Sequence, residues 1–430
     1  MPTNHPYDLV IGLDRSDRKA DLHLIDTRTG NVQKQTVATS PEALHDWLAQ
    51  LRQQQPQARV GLCLEQPAAN LIVFLETYSW IRLYPISLQK FRETFVTSRA
   101  KDDGKDAQYL AELLLSHHPK LKPWQPDDSQ TRQLQQLVLH RRAVVDQRTG
   151  LTNRLKALLK QYFPQALDLC GEDLWRPLAT AFLLKWPTLQ NLKKARKPAL
   201  KQFYYLQGSR SQTLIEQRLE RIDKAVPLTD EIALLQSYTL RVQLLCKELQ
   251  LLLKTLEQFD QQIAKVFQQH PDRPIFEALP GAGPVLAPRL LTGMGSERKR
   301  FPRSGNLQCL SGVAPVTKQS GGKCCIHRRY LCPKFLRQSF HEYAKESILH
   351  SRWAAAYYGQ QRNKGCDHHT AVRALAYKWQ RIIWKCWQSR TIYKEATCEA
   401  ALKKTKSPLV SLLDQIELGK SPVKTRAKKS

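Results

Sequence analysis

A few carboxylates and one serine carry the chemistry this sequence could do. Asp14 closes the apolar run "YDLVIGLDRS", Glu65 closes "RVGLCLE", and "AKDDGKDAQYLAELL" gathers Asp102, Asp103 and Asp106 within five positions. The chain carries a formal net charge of +29, so these acids would repel a bound phosphate unless a divalent cation stood between them. Mg²⁺ (or Mn²⁺) is hard, takes oxygen ligands, and can polarise a phosphodiester while activating an oxygen nucleophile. Asp103 and Asp106, three residues apart at a helix start, can face one centre. Asp102, four from Asp106, is the rival. The plainer reading is that each acid caps a helix or closes a turn. Asp8, Asp17 and Asp21 read as solvent or turn residues.

The serine lies in "VTKQSGGKCCIHRRY", where Ser320 precedes Gly321 and Gly322 amid Lys318, Lys323, His327, Arg328 and Arg329, with no acid. Glycines permit a tight turn whose N–H groups point at an anion, and the cations would neutralise a phosphate brought to the hydroxyl. A serine attacking phosphorus needs those features and a proton acceptor. The same loop could also contact phosphate with no nucleophilic step. "LPGAGPVLAPRLL" resembles a helix-hairpin-helix turn in which Gly281 and Gly283 would present N–H groups to a phosphate; its alternative is a plain turn between helices. The cysteines and histidines near Cys324, Cys366 and His368 lack the paired spacing of a zinc site. Trp379, Trp384 and Trp387 read as core.

The elements that must position these groups change in character along the chain. The N-terminal segment reads as a strand, a hairpin turning at Thr29-Gly30-Asn31, a helix capped by Ser40, and then alternating strand and helix. That predicts a mixed α/β sheet covered by helices, and with the first and fourth strands adjacent the acids could converge. "DAQYLAELLLSH" is a helix with Ala107, Leu110, Leu113 and Leu114 on one side. From Asp230 to His270 the apolar residues Leu235 to Val266 recur at alternating steps of three and four, a heptad seam predicting a long coiled-coil helix. A weaker stripe, Leu137, Val144, Leu151 and Leu158, predicts a second helix that packs on the first or forks around a partner. The expected domains are 1–126, the metal-binding α/β domain; 127–275, the helical segment, with a small basic insertion at 163–228; 276–395, a mainly helical domain; and 396–430, a partly disordered basic tail.

Charge points to the partner. Residues 276–395 hold 21 Lys and Arg against 6 Asp and Glu, about half of the chain's excess, whereas residues 1–126 nearly balance. Such asymmetry predicts a polyanionic partner, nucleic acid by default. No run of about 18 apolar residues or apolar leader is evident, so a cytoplasmic protein with no membrane partner and reduced thiols is expected.

Taken in order, "VIGLDRSDRKADLHLID", the Glu of "LCLE", "AKDDGKDAQYLAELL", "LPGAGPVLAPRLL", "RFPRSGNLQCLSGVAP" and "KQSGGK" resemble the motifs of the DEDD transposases of the IS110 insertion-sequence family, relatives of Piv-type DNA invertases. The resemblance covers about residues 7–115 and 276–392. It implies a RuvC-like, RNase H-like N-terminal domain whose four metal-binding acids fall on Asp14, Glu65, Asp103 and Asp106; the pattern Lys-x-Asp-x-x-Asp-Ala selects Asp103 over Asp102. Ser320 falls on the serine nucleophile. The resemblance further implies recombination of donor and target DNA through a phosphoserine link, in a homo-oligomer (a dimer, or a tetramer in the synaptic complex) near the bacterial nucleoid. One protomer's acids would meet another's serine domain, and a bridge RNA would select the DNA. "EQPAAN" lacks the glycine that often follows the family's Glu, and Asp102 stands where an uncharged residue is usual. A RuvC-like nuclease or junction resolvase, and a non-catalytic nucleic-acid-binding regulator, are the alternatives.

Overall fold

The computed structural model describes residues 5–65, 69–86 and 103–413, which fall into two compact units divided at Pro126 and Asp127. In the first, strands β1 (Leu9–Arg15), β2 (Lys19–Asp26) and β3 (Val32–Ala38) form an antiparallel meander. Strands β4 (Val60–Glu65) and β5 (Ile81–Ile86) run parallel to β1, giving the order β3-β2-β1-β4-β5. The predicted adjacency of first and fourth strands is therefore present. Both β1 and β4 are buried nearly throughout, as central strands covered on two faces must be.

One face of the sheet packs Leu9, Ile11, Leu13, Leu62 and Leu64 against helix α1 (Pro41–Gln54) and helix α2 (Ala69–Leu75). Ser40 caps α1 by accepting the Ala43 N–H, as expected. The other face packs Val10, Ile25, Cys63 and Tyr84 against Leu110, Ala111 and Leu114 of helix α3 (Asp103–His117). Ala107, Leu110, Leu113 and Leu114 are all buried, as their spacing predicts.

In the second unit, helices α4 (Ser129–Tyr162) and α10 (Ile232–Gln269) run antiparallel. The Gln130 amide donates to the Val266 carbonyl at one end, and Tyr162 stacks on Tyr238 at the other. The heptad seam of α10, including Val242, Leu249, Leu256 and Ile263, is thus spent within the chain on α4. On α4 the buried stripe is not the expected one. Leu134 and Val138 are buried near one end, Leu155 and Leu159 near the other, and the stretch between them, with Arg141, Arg142 and Arg148, has no buried residue. The two buried stretches belong to two separate cores that the helix pair serves.

The far ends of α4 and α10 enclose a small body of helices α5 (Ala166–Cys170), α6 (Pro177–Lys185), α7 (Leu189–Lys193), α8 (Lys197–Leu206) and α9 (Gln212–Lys224), with Phe182 and Tyr204 in its core. The near ends share a core with helices α11 (Arg273–Glu277), α12 (Gly283–Met294), α13 (Ser304–Leu310), α14 (Lys334–Ser347), α15 (Arg352–Asn363) and α16 (His368–Ser389). Trp379 and Trp387 are fully buried there, and Trp384 is partly so. Each indole N–H is satisfied, by the Ser347 hydroxyl, the Gly295 carbonyl and the Phe301 carbonyl respectively, which is what lets three tryptophans serve as core.

From residue 395 the described chain continues in two short helices. Helices α17 (Glu395–Lys404) and α18 (Val410–Leu413) form, with Leu409 and Leu413 buried; the basic end "KSPVKTRAKKS" lies outside the described residues. Among the described residues no helix is long and apolar enough to cross a membrane.

Candidate active site

Strand alternation decides where the acids point. Leu9, Ile11 and Leu13 face α1, so Val10, Gly12 and Asp14 face α3. On β4 the same logic places Gly61, Cys63 and Glu65 on the α3 face, and Leu13 pairs with Leu64 in the parallel ladder, so Asp14 and Glu65 follow side by side at the strand ends. Gly12 controls how near α3 can come. A β-carbon there would lie 1.9 Å from the Ala107 carbonyl oxygen and 2.6 Å from the Ala111 nitrogen. The missing side chain lets the helix backbone rest on the strand, which brings Asp106, next to Ala107, over the same face two residues from Asp14 along β1. Asp14 is 7% exposed and Asp106 1%.

Asp103 is the first residue of α3, one turn before Asp106; its side chain and all of Asp102 lie outside the described residues. Among the described residues no three His, Cys, Asp or Glu side chains stand close enough to hold an ion together. Asp14, Glu65 and Asp106 offer carboxylate oxygens alone, which is the donor set that a hard cation such as Mg²⁺ or Mn²⁺ takes and a soft one does not.

Asp21, read from sequence as a solvent or turn residue, is a strand residue directly across from Asp14 on the same face. Its carboxylate takes the Thr36 hydroxyl at 2.8 Å and the Lys19 ammonium at 3.0 Å. Burial opposes its ionisation, yet these two partners hold its pKa below the ordinary value. Its alternation with His23 and Ile25 places it on this face once the register with β1 is known. Asp8 is instead a surface clamp at the opposite end of β1, and its pairing with Arg59, and then Arg28, draws its pKa well below the carboxylate range.

Ser320 sits on a β-hairpin rather than a loop. Strands β6 (Val316–Ser320) and β7 (Lys323–His327) pair antiparallel around Gly321 and Gly322. Gly321 takes φ 56° and Gly322 has no positive φ, as in a type II′ turn. The register puts Ser320 opposite Lys323 and Lys318 opposite Cys325. One face therefore presents Ser320, Lys318, Lys323, Cys325 and His327, and the other Gln319, Cys324, Thr317 and Ile326. Nearly every residue of the hairpin is exposed. Arg328 lies over the Tyr330 ring, whereas Arg329 turns back to bond the Ala314 carbonyl at the hairpin base. Arg329 thus anchors the hairpin, a role its place in a basic run did not suggest.

The two glycines of "LPGAGPV" differ. Both have positive φ, Gly281 in the turn between α11 and α12 and Gly283 at the first position of α12, but a β-carbon on Gly281 would lie 2.7 Å from the His350 ring, while Gly283 faces open space. Gly281 is needed for packing; Gly283 leaves its backbone accessible.

Two family models match this chain. A DEDD transposase model covers residues 11–164, and a model described as "Transposase IS116/IS110/IS902 family" covers 273–359. The chain belongs to the IS110 family of transposases. A protein named for transposition of the IS117 mini-circle in Streptomyces coelicolor is 25% identical over 400 residues, spanning 91% of this chain and 96% of that protein. An uncharacterized 43.6 kDa protein of insertion element IS110 from the same organism is 26% identical, covering 69% and 72% of the two chains. A 42 kDa protein of IS900 from Mycobacterium paratuberculosis is 29% identical over 160 residues, 36% of this chain and 40% of that one. In this IS110-family chain the first model spans all four acids and the second spans Ser320 and the glycine turn. The helices of the small body and all of α10 fall between them.

Proposed function

We propose that this IS110-family protein is a site-specific DNA recombinase in which Ser320 attacks a DNA strand while Asp14, Glu65, Asp103 and Asp106 hold Mg²⁺ or Mn²⁺. The observation that supports it is that Asp14 and Glu65 end adjacent strands on one face of the sheet, and that Asp106 is carried by the helix seated over that face on Gly12. The strand order, with an antiparallel meander leading into parallel β4 and β5, supports a RuvC-like assignment for residues 1–126.

The bound cation would neutralise phosphate charge and polarise the bond to be broken. Asp14 and Glu65 would be fixed by buried strands and Asp106 by a buried helix, which suits ligands that must keep their geometry. Lys323, across from Ser320, and Lys318 on the same face would neutralise the phosphate presented to the hydroxyl. In the step itself the Ser320 Oγ–P bond forms and one P–O ester bond of the strand breaks. The hydroxyl proton passes to a base, and the departing deoxyribose oxygen gains one. Because the serine ester replaces a phosphodiester, a second strand's hydroxyl can reverse the step and release the serine without ATP.

The remaining parts of the reading rest on the family resemblance. Residues 276–395 would form the serine domain, 127–275 a helical connector built on the intrachain pair α4 and α10, and 396–430 a basic tail. Acids and serine from different protomers of a dimer or tetramer would meet on donor and target DNA, with a bridge RNA choosing the sequence.

Labelled DNA bearing the element's ends, incubated with protein, Mg²⁺ and RNA from the flanking non-coding stretch, then denatured, tests this. A serine-linked protein–DNA adduct is expected. Ser320→Ala should lose it while keeping nucleic-acid binding, and Asp14→Ala or Asp106→Ala should lose metal-dependent activity. Cleavage by Ser320→Ala with unlinked ends would instead identify a metal-dependent nuclease, and full activity in EDTA would reject both.

A further inference from the structure

The helical body of α5 to α9 has a one-sided charge distribution that the proposed chemistry does not use. From Leu174 to Ile215 the sequence holds eight Lys and Arg and no Asp or Glu. Four of these cations, Lys193, Lys194, Arg196 and Lys197, fall within five residues where α7 ends and α8 begins, and all are exposed. Lys201 follows one turn after Lys197 on the same side of α8. Of the five, Lys197 is tied to an acid, Asp223 at 2.7 Å. The acids of the body's last helix, Glu216, Glu220 and Asp223, all lie on α9, and Glu220 is taken by Lys224. Cations this dense, without interspersed acids, repel one another, and a surface built for solubility alone mixes the signs.

What the patch lacks narrows the partner. Phe182, Trp186, Phe203 and Tyr204 pack mostly edge-to-face inside the body. The exposed Tyr205 stands eight residues along α8 from Lys197, about 12 Å away. Single strands are held by aromatic platforms on which bases stack, whereas duplex backbones need cations alone. We propose that this face is a docking surface for the phosphate backbone of duplex DNA, the substrate that membership of a transposase family implies, gripping it without reading its bases. The proposal does not depend on the chemistry assigned to Ser320.

Its test uses the full chain with Lys193→Gln, Lys194→Gln, Arg196→Gln and Lys201→Gln combined, binding 30-base-pair duplexes of two unrelated sequences across a salt series. Each lost phosphate contact should lower the log–log salt slope by about 0.9, so the slope should fall by roughly 3 to 4, equally for both sequences. An unchanged slope overturns the proposal. As a check independent of the variant's folding, acetylation of the wild-type protein followed by mass spectrometry should show Lys193, Lys194 and Lys201 protected by duplex and Lys254, exposed on α10, unprotected. Protection by duplex DNA is expected; protection by duplex RNA alone, protection by neither duplex, or equal protection by single-stranded oligo-dT overturns it. Loss of duplex binding with the serine adduct intact separates this surface from the site at Ser320.

Discussion

Gly12→Ala is the sharpest perturbation of the acidic site because it adds one methyl group and touches no acid. The new β-carbon would stand 1.9 Å from a backbone oxygen of α3, and ordinary contact begins near 3.4 Å, so helix and strand must part by about 1.5 Å. No side chain can rotate to relieve the clash, since both close contacts are backbone atoms. Overpacking of this kind costs about 1–3 kcal/mol. With a urea m-value of about 2 kcal/mol/M, a loss of about 2 kcal/mol lowers the midpoint by roughly 1 M. Asp106 travels with the helix while Asp14 and Glu65 stay with the sheet, and a misplacement of about 1 Å can cost on the order of a hundredfold in rate. Urea denaturation should therefore show the lower midpoint, and adduct yield across an Mg²⁺ titration should fall by far more than the folded fraction does. If the alanine variant unfolds at the wild-type midpoint and forms adduct at the wild-type rate, the seating of α3 on Gly12 is not what positions Asp106.

Gly150 lies in the interior of α4, and a β-carbon added there would meet no atom within 4 Å, so Gly150→Ala should raise stability by about 0.5–1 kcal/mol in the same urea assay. The Arg289 guanidinium, almost wholly buried, donates to Glu342, which also takes Arg142 and Gln338. Glu342→Gln strands a buried cation and should cost about 3 kcal/mol, more than Arg289→Met, which leaves a half-exposed carboxylate with other partners; equal losses would contradict the asymmetry. His270 accepts the Asp272 N–H at Nδ1, and its Nε2 bonds the Thr131 hydroxyl, which itself donates to Asp128, so the neutral ring is the one that fits. Burial first, and then Arg298, hold its pKa below the ordinary value against the pull of Asp272 and Asp128. The unfolded chain then takes the proton first as pH falls. The stabilisation is full above about pH 6.5 and drains as pH drops toward the folded value. Urea midpoints at pH 7.5 and 5 should converge more in His270→Asn than in wild type.

The parts of this molecule that could be read from its sequence are those where burial imposes a period. The β1 and β4 runs, the α3 stripe and the α10 seam each repeat at the spacing of the surface they cover, and each is present. Asp21 went unseen because its alternation with His23 and Ile25 becomes meaningful only once the register with β1 is known. Gly12 was silent for the same reason: a glycine inside an apolar strand announces close approach only when the approaching helix is identified. The hairpin bearing Ser320 is the opposite case. Lys318, Gln319, Lys323 and Cys324 pack on nothing, so no apolar alternation marks the strands, and a two-stranded ribbon without a packed face is only marginally stable in water. That contrast bears on function. Asp14, Glu65 and Asp106 are carried on buried elements, whereas Ser320 is carried on an exposed ribbon anchored at its base by Arg329, whose register, more than any core, sets which side chains stand beside the hydroxyl. A substitution that weakens the turn, such as Gly321→Val at a positive φ, should therefore impair adduct formation while leaving the urea midpoint unchanged, and a matching loss of global stability would show that the hairpin belongs to the core after all.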